Sequence, residues 1–234
     1  MNELVNKSGT FLFDKPYRWT SFDVVGKVRS MCKQAFGERL KVGHAGTLDP
    51  LATGLLIVCI GKDTKTIDRY SGLNKEYIAT INISATTASY DLEKPIEGNY
   101  NYSNISTEQV ENVLSSFLGL QQQIPPSFSA KWVNGDRAYN IARQGITPEL
   151  KSHEITIYEL ELLRCELPEI EIRIKCSKGT YIRSLVRDVG AMLSGGAYLS
   201  SLRRVSIGDF NIKDIITLEQ FEEKLKNQKL AENL

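Results

Sequence analysis

The sequence has 234 residues, of which 41% are hydrophobic and 24% are charged, and its formal net charge is +1. This composition is typical of a globular protein and excludes a disordered chain, and the longest apolar run, Leu55–Ile60, is too short to cross a bilayer. The chain begins without the pattern of a signal peptide, and its four cysteines and two histidines have no metal-binding spacing. We therefore expect a cytoplasmic protein with reduced cysteines, no membrane partner and no metal.

The first part of the chain predicts a short strand and an amphipathic helix. Residues 1–9 read as a loose leader, and residues 10–13 predict a strand that stops at Lys15-Pro16. Thr20 or Ser21 is expected to cap a helix, because apolar residues then recur at helical spacing: Val24, Val25, Val28, Met31 and Cys32. Seven basic residues lie between positions 15 and 41, against two acidic residues. They favour a basic face that suits a phosphate backbone, and solvated helix faces are an equally open alternative.

The stretch Gly43–Gly54, with the sequence GHAGTLDPLATG, has the composition of a functional loop. It combines three glycines, one of the two histidines, and the carboxylate of Asp49 before a proline. Glycine permits backbone conformations that a side chain forbids, and Pro50 biases Asp49 away from the helical region. The apolar run after the loop predicts a buried strand, which would give a reactive group rigid support. From these residues alone, the alternative that Asp-Pro only starts a turn stays open.

The middle of the chain predicts a strand, a helix and an exposed insert. Residues 76–84 alternate with the period of a strand, and the run Ser106–Gln109 forms a capping box at the start of a helix. Residues 121–145 combine prolines, aromatic residues and basic residues with a short helix that we expect to be capped by Asp136. Such a segment suits an unstacked nucleic-acid loop. The alternative is a long surface loop with Trp132 tucked under it.

The last part of the chain predicts two strands, at Ile155–Leu163 and Glu169–Cys176, followed by two helices. Tyr181 and Arg183 lie at the start of the first helix. Because a helix dipole favours an anion there, a partner carboxylate would explain the position of Arg183, and Asp49 is the candidate. The alternative is an exposed arginine. Residues 173–187 contain five basic residues and no acidic residue. The final helix is expected to start at a cap on Thr217.

Three separated motifs carry a resemblance to a known family: Lys15-Pro16, the run KVGHAGTLDPLATG that ends at Gly54, and the run CSKGTYIRSL at Cys176–Leu185. In this order, over roughly residues 9–210, the chain resembles the TruB family of tRNA pseudouridine synthases. The resemblance implies isomerisation of uridine 55 in the T loop of tRNA, with no cofactor. It implies the tRNA T stem-loop as the partner, and we expect a monomer.

The resemblance also implies roles for individual residues. Asp49 falls on the position of the family's catalytic aspartate and is expected to act as a nucleophile. Arg183 would keep this carboxylate ionised, and Tyr77 would lie against the target base. The implied substrate-binding residues are His44, which would replace the flipped base in its stack, and Tyr77, Tyr181, Leu202, Lys15 and Asp91. Without the resemblance, His44 would be structural, Tyr77 a core residue and Lys15 a solvated lysine in a turn.

The expected fold class is α+β, with a pseudouridine-synthase-like mixed, largely antiparallel sheet, peripheral helices and an RNA-gripping insert at about residues 121–150. We expect one catalytic domain over residues 10–212, and a C-terminal helix and tail over residues 213–234 without the PUA-type domain of many family members. A non-catalytic RNA-binding or tRNA-folding protein is the competing interpretation. A hydrolytic glycosidase is a weaker one, because only Asp91 could serve as its second carboxylate.

Overall fold

The computed structural model describes residues 4, 7–129, 131–133 and 135–232. The chain forms two compact units, the first made of residues 1–75 and 203–234 and the second of residues 76–202. The strands, in chain order, are β1 (Gly9–Lys15), β2 (Val42–His44), β3 (Thr53–Ile60), β4 (Lys75–Asn82), β5 (Thr86–Thr87), β6 (Ile96–Glu97), β7 (Gly119–Gln123), β8 (Trp132–Val133), β9 (Asp136–Arg137), β10 (His153–Glu166), β11 (Glu169–Cys176), β12 (Tyr198–Ile207) and β13 (Phe210–Asn211). The α-helices are α1 (Ser21–Phe36), α2 (Ile67–Ser71), α3 (Thr107–Ser116), α4 (Ala138–Arg143), α5 (Ile182–Leu193) and α6 (Leu218–Glu232).

The first unit is built around β3, whose residues Leu55–Ile60 are all fully buried. β1 pairs with β3 in antiparallel orientation along its length, β2 pairs with it antiparallel, and the last part of β12 pairs with it in parallel at Arg204↔Gly54. One face of β3 packs on α1 and α6, and the other packs on a group that includes Tyr70 and Phe210. The continuous apolar run follows from this two-sided burial.

The second unit contains strands in the order β12-β4-β11-β10-β7, where β12 contributes its first part. β10 pairs with both β11 and β7 in antiparallel orientation. β4 alternates buried and half-buried residues, with Tyr77, Ala79 and Ile81 inside. α3 contacts α5 and β10. The predicted α+β class with a mixed, largely antiparallel sheet is therefore confirmed.

The helix starts were predicted well because they depend on adjacent residues. Thr20 caps α1 and forms a capping box with Asp23, and Ser106 does the same for α3 with Gln109. The strand predicted at Glu169–Cys176 has the same bounds as β11. The predicted cap of α4 is wrong. Asp136 lies in β9 and accepts hydrogen bonds from the Arg137 N–H and the side chain of Asn140, while Arg137 occupies the cap position.

Two other expectations concern the predicted leader and the expected lack of a membrane-spanning segment. The predicted leader lies largely outside the described residues, and Gly9 already belongs to β1. Within the described residues, no helix combines the length and apolar character that crossing a membrane requires.

Cys32, Cys59 and Cys176 are buried, and burial raises the pKa of the Cys32 thiol to about 11, as expected of packing residues.

Candidate active site

The loop between β2 and β3 contains Asp49 and is stabilised by its own backbone bonds. The N–H of Ala45 donates to the carbonyl of Ile57 at 2.9 Å, and the N–H of Ala52 donates to the carbonyl of Asp49 at 3.1 Å. The second bond closes a turn over Pro50 and Leu51. The alternative that Asp-Pro starts a turn therefore describes the backbone correctly. The turn leaves Asp49 itself half-buried.

Ser21 ties this loop to the start of α1. Its buried hydroxyl accepts a hydrogen bond from the N–H of Leu48 at 2.9 Å and lies 3.2 Å from the carbonyl of the same residue, to which it donates. One side chain thus satisfies both backbone groups of the residue before Asp49. The position of the loop along α1 is fixed by this pair of contacts.

Arg204, on β12, binds both ends of the loop from inside the first unit. Its side chain is buried, and the guanidinium donates to the carbonyls of Leu55 at 2.7 Å, Gly46 at 3.2 Å and Thr47 at 3.4 Å. A buried arginine needs acceptors for its five N–H groups, and these backbone carbonyls accept from three of them. Arg204 is therefore a structural support of the loop, a role that the sequence did not reveal.

Gly54 permits the close approach of β12 to the end of the loop. Its φ is 97°, and a Cβ there would lie 2.3 Å from the carbonyl oxygen of Arg204. The neighbouring Arg203 forms a two-pronged ion pair with Asp14, with N–O distances of 2.8 and 3.1 Å, and Asp14 also accepts a hydrogen bond from the N–H of Gly54. Neither Arg203 nor Arg204 is thus a simple solvated charge.

Lys15 closes the loop on its other side. It has no exposed surface, and its ammonium group donates to the carbonyls of Trp19 at 2.5 Å, Pro16 at 3.0 Å and Pro50 at 3.1 Å. The alternative of a solvated lysine in a turn is wrong. The predicted direct contact with substrate also has a physical difficulty, since a side chain without exposed surface reaches a ligand only after rearrangement. The contacts indicate a support for the residue next to Asp49.

The electrostatics of Lys15 place it close to Asp49. Burial lowers the pKa of Lys15 to about 8, and the negative charge of Asp49 is the strongest influence in the opposite direction. The charge of Arg204 adds to the lowering. The Asp49 carboxylate therefore lies in the field of a buried cation on its own unit.

His44 ends β2 and precedes the loop. Burial, followed by the charge of Arg204, lowers the pKa of its imidazole below the usual value, so the ring is neutral at pH 7. Its Nδ1 is buried, and no described residue forms a hydrogen bond of normal geometry with it. The ring meets Phe22 edge to face, with centroids 5.4 Å apart. His44 is thus a neutral, largely apolar ring beside the loop.

The second unit contains a buried ion pair between Arg183 and Asp91. Arg183 Nε lies 3.6 Å from Asp91 Oδ2, and the two side chains are 5% and 3% exposed. Asp91 Oδ1 accepts hydrogen bonds from the Ser89 hydroxyl at 2.5 Å and from the N–H of Glu93 at 3.0 Å. Arg183 also donates to the carbonyls of Ser89 and Phe128. Asp91 thus supplies a carboxylate partner for Arg183 in the first turn of α5. The pairing of Arg183 with Asp49 stays a prediction.

Gln123 fixes Tyr181 at the start of α5. The Gln123 side-chain oxygen accepts from the N–H of Tyr181 at 2.8 Å, and its amide nitrogen donates to the carbonyl of Tyr181 at 3.1 Å. The hydroxyl of Ser184 donates to the carbonyl of Ile124 at 2.8 Å. The end of β7 therefore sets the position of the first turn of α5, which carries Arg183.

The other predicted site residues are side chains of strands. Tyr77 is a buried residue of β4, and Leu202 is a buried residue of β12. The structure brings together Lys15 and Asp49 on the first unit, and Arg183 and Asp91 on the second. Arg204, Ser21 and Gln123 were missed. The sequence of β12 gave one indication of the role of Arg204. Residues two apart in a strand lie on the same face, so Arg204 shares the face of the buried Leu202.

The predicted insert presents aromatic rings with cations on them. Trp132 in β8 is 63% exposed, and the guanidinium of Arg137 lies 4.2 Å from the centre of its ring. Arg143 lies 5.2 Å from the ring of Tyr139. The alternative of a tucked Trp132 is therefore wrong, and such pairs suit stacking with bases.

Metal ligation has no support in the described part of the chain. There, no three or more His, Cys, Asp or Glu side chains are grouped in a way that could hold a metal ion.

Two family models match the chain in tandem. The model described as TruB family pseudouridylate synthase (N terminal domain) matches residues 33–182. The model described as tRNA pseudouridylate synthase B C-terminal domain matches residues 183–234. Together they account for most of the sequence.

Curated relatives are similar over nearly the whole chain, and each is named tRNA pseudouridine synthase B. The protein from Phocaeicola vulgatus is 51% identical and covers 97% of both chains. The protein from Bacteroides fragilis is 52% identical over 95% of this chain and 96% of its own. The protein from Flavobacterium johnsoniae is 46% identical over 92% and 95%.

Solved structures share the fold. A chain of a Cbf5-Nop10-Gar1 complex is 28% identical with a TM-score of 0.69, and the match covers 92% of this chain and 54% of that one. A chain of an H/ACA RNP bound to a substrate RNA containing 2'-deoxyuridine is 25% identical with a TM-score of 0.66, covering 92% and 52%. The chain thus spans about half the length of these two structures.

Proposed function

Because the chain belongs to the TruB family and is a tRNA pseudouridine synthase, we propose that it converts uridine 55 in the T loop of tRNA to pseudouridine. The reaction breaks the N1–C1′ bond of the nucleotide, turns the uracil and forms a C5–C1′ bond. The proton on C5 is lost and N1 gains one, so the atoms balance without hydrolysis or net redox change. The target base must leave its stack to react.

Asp49 carries the chemistry in this proposal as the nucleophile toward the target nucleotide. The observation that supports it best is the construction of its loop. Side chains from three elements, Lys15, Ser21 and Arg204, bind the backbone on both sides of Asp49. A catalytic group needs such support, because a small displacement lowers the rate strongly.

Arg183 and Tyr77 complete the catalytic set. Arg183 supplies a buried positive charge, which Asp91 holds in place, and we propose that this charge favours the ionised state of the reacting carboxylate. Tyr77 supplies a ring against the uracil. Asp91 then acts as a positioning residue, because its contacts are with Arg183, Ser89 and Glu93.

The remaining predicted residues bind the substrate or support the site. His44 presents a neutral ring beside the Asp49 loop, which suits a residue that replaces the flipped base. Tyr181 and Leu202 are proposed contacts of the target nucleotide, and Lys15 is proposed to act through the carbonyl of Pro50. We propose that the enzyme works as a monomer in the cytoplasm, where tRNA is found.

The test is pseudouridine formation on an unmodified tRNA transcript by the purified protein and by Asp49→Asn. The variant should bind tRNA as the native protein does and form no pseudouridine. Asp209→Asn is the matched control, because it changes the same functional group at an exposed residue and should react normally. A transcript with cytidine at position 55 should yield no product, which tests the position.

The competing function predicts a different pattern. A non-catalytic RNA-binding or tRNA-folding protein would bind the transcript in native and Asp49→Asn forms, and neither would form pseudouridine. That result would refute Asp49 as a catalytic residue. Product at a uridine other than 55 would refute only the proposed position.

A further inference from the structure

Arg18 has an unusual backbone conformation for its residue type. It lies in the turn between β1 and α1 with a φ of 67°, in the left-handed region that favours glycine. The neighbouring bonds fix this conformation, since the N–H of Arg18 donates to the carbonyl of Pro50 at 2.9 Å, beside the bond from Lys15. A glycine would serve this turn with less strain.

The side chain of Arg18 contributes little to the fold. It is exposed, its guanidinium lies 5.6 Å from the ring of the exposed Tyr17, and no carboxylate of the described residues forms a salt bridge with it. The nearby Asp23 is engaged by the backbone and hydroxyl of Thr20. An arginine that strains the backbone, contacts only an exposed ring and pairs with no described carboxylate indicates a ligand outside the chain.

Phe22 is a second exposed feature beside the same loop. It is 74% exposed, the highest value among the large hydrophobic side chains that the structure describes, and its edge-to-face contact is with His44. Residues four apart on a helix are neighbours, and position 26 is a glycine with open space around it. The ring of Phe22 is therefore left uncovered on the surface of α1.

One face of α1 carries Phe22, followed along the helix by positively charged residues. Phe22, Gly26, Arg29 and Lys33 are spaced i, i+4, i+7 and i+11, which places them on one helix face. Arg29 donates to the carbonyl of Val42, so this face lies along β2. Exposed aromatic rings followed by cations match the alternation of bases and phosphates in a nucleic-acid strand.

We propose that Arg18, Tyr17 and Phe22 form a contact surface for the RNA substrate, outside the predicted catalytic set. In this surface Phe22 stacks on a base of the loop next to the target uridine, and the Arg18 guanidinium binds a phosphate. Arg18 and Tyr17 lie in the turn that bonds to Pro50, and Phe22 lies in the first turn of α1 against His44, so the contact lies beside the Asp49 loop. This proposal rests on the proposed function, because that function identifies the RNA as the T stem-loop of tRNA.

The first experiment measures RNA affinity against salt concentration and thermal unfolding for Arg18→Gly. The variant should unfold at the same or a higher temperature, because strain is relieved, and should bind a T stem-loop RNA about fivefold to tenfold more weakly. The salt slope should fall by about 0.7–0.9 for one lost phosphate contact. Arg18→Lys should retain most of the slope. Lys226→Ala, which removes an equal charge from α6, should match the native protein.

The second experiment replaces Phe22 by alanine, with Tyr158→Ala as the matched exposed aromatic on β10. Loss of one stacked base should weaken RNA binding by about tenfold without changing the salt slope, and Tyr158→Ala should have no effect. In the reaction assay, the affinity losses of both variants should appear as a raised KM for the RNA.

The outcomes separate this proposal from the proposed function. Affinity and salt slope of Arg18→Gly within twofold of the native values would overturn the contact surface, whatever the enzyme does. If the native protein bound the RNA but formed no pseudouridine, the proposed function would fail, and the affinity losses of the two variants would still support the surface. If Lys226→Ala weakened binding as much as Arg18→Gly, the contact would be general electrostatic attraction and the proposal would be refuted.

Discussion

Replacing Asp91 by asparagine removes the negative charge that faces Arg183 inside the second unit. The asparagine keeps the size of the side chain, and its oxygen can still accept the bonds from Ser89 and Glu93. The other side-chain position changes from an oxygen 3.6 Å from Arg183 Nε to an amide group that carries hydrogens. A buried guanidinium then faces a donor where it had an anion.

The expected cost follows from the burial of the pair. Removing one partner of a buried ion pair typically costs about 3–5 kcal/mol, because the other charge stays in a low-dielectric environment. Arg183 keeps the carbonyls of Ser89 and Phe128 as acceptors, which favours the lower end, about 3 kcal/mol. Ser89→Ala, which removes the hydroxyl's contacts with Asp91 and no charge, should cost about 1 kcal/mol.

Urea unfolding at neutral pH measures these free energies, and pseudouridine formation at saturating tRNA measures their effect on the reaction. If Asp91 acts by holding Arg183, the variant should lose kcat with little change in tRNA affinity. The double variant Asp91→Asn with Arg183→Met should be less destabilised than the sum of the single variants, because the unpaired charge is gone. A loss below about 1 kcal/mol for Asp91→Asn, or additive double-variant values, would refute a buried charge pair.

Two further predictions concern the first unit. The pKa of Lys15 is about 8 in the folded protein, below its ordinary value of 10.5. Between these two pH values, Lys15 of the unfolded chain is protonated and Lys15 of the folded chain is not. The free energy of unfolding therefore rises with pH in this window. From about pH 7.5 to about 9.5 the native protein should gain about 2 kcal/mol relative to Lys15→Met in urea unfolding, and a pH-independent difference would contradict the shift. Gly54→Ala should cost about 3 kcal/mol or more, because a Cβ would meet the backbone of Arg204 at a φ of 97°. The control Gly26→Ala, in open space on α1, should stabilise by up to about 1 kcal/mol in urea unfolding, and equal effects of the two would rule out the clash.

Local patterns in the sequence predicted the parts of the fold that depend on neighbouring residues. The capping boxes at Thr20 and Ser106 involve side chains three residues apart. β11 has an alternating pattern bounded by turns, and the Gly43–Gly54 loop has glycines and a proline that mark it directly. The misplaced cap of α4 shows the limit of this reasoning, because Asp136 is drawn into the β8–β9 hairpin.

The supports of the site were harder to predict, because they depend on contacts between distant residues. Arg204 binds carbonyls at Gly46 and Leu55, about 150 positions away in the sequence, and a basic residue by itself predicts exposure. Every residue has a backbone carbonyl, so the residue types do not indicate which carbonyls accept a hydrogen bond from a distant side chain. The same holds for Gln123 on Tyr181 and for Lys15 on Pro50.

The long-range supports of the Asp49 loop have a consequence for the order of folding. The bond between Arg204 and Leu55 closes a separation of 149 residues, and the bond between Lys15 and Pro50 closes one of 35. Long-range contacts form only after the loop-closure entropy has been paid, so they tend to come late. The loop can therefore reach its working geometry only when β12, near the end of the chain, has docked against β3. During synthesis, a ribosome-bound chain that has already emerged beyond β3 would carry Asp49 on an unformed loop, and the loop would be completed only after β12 has been made.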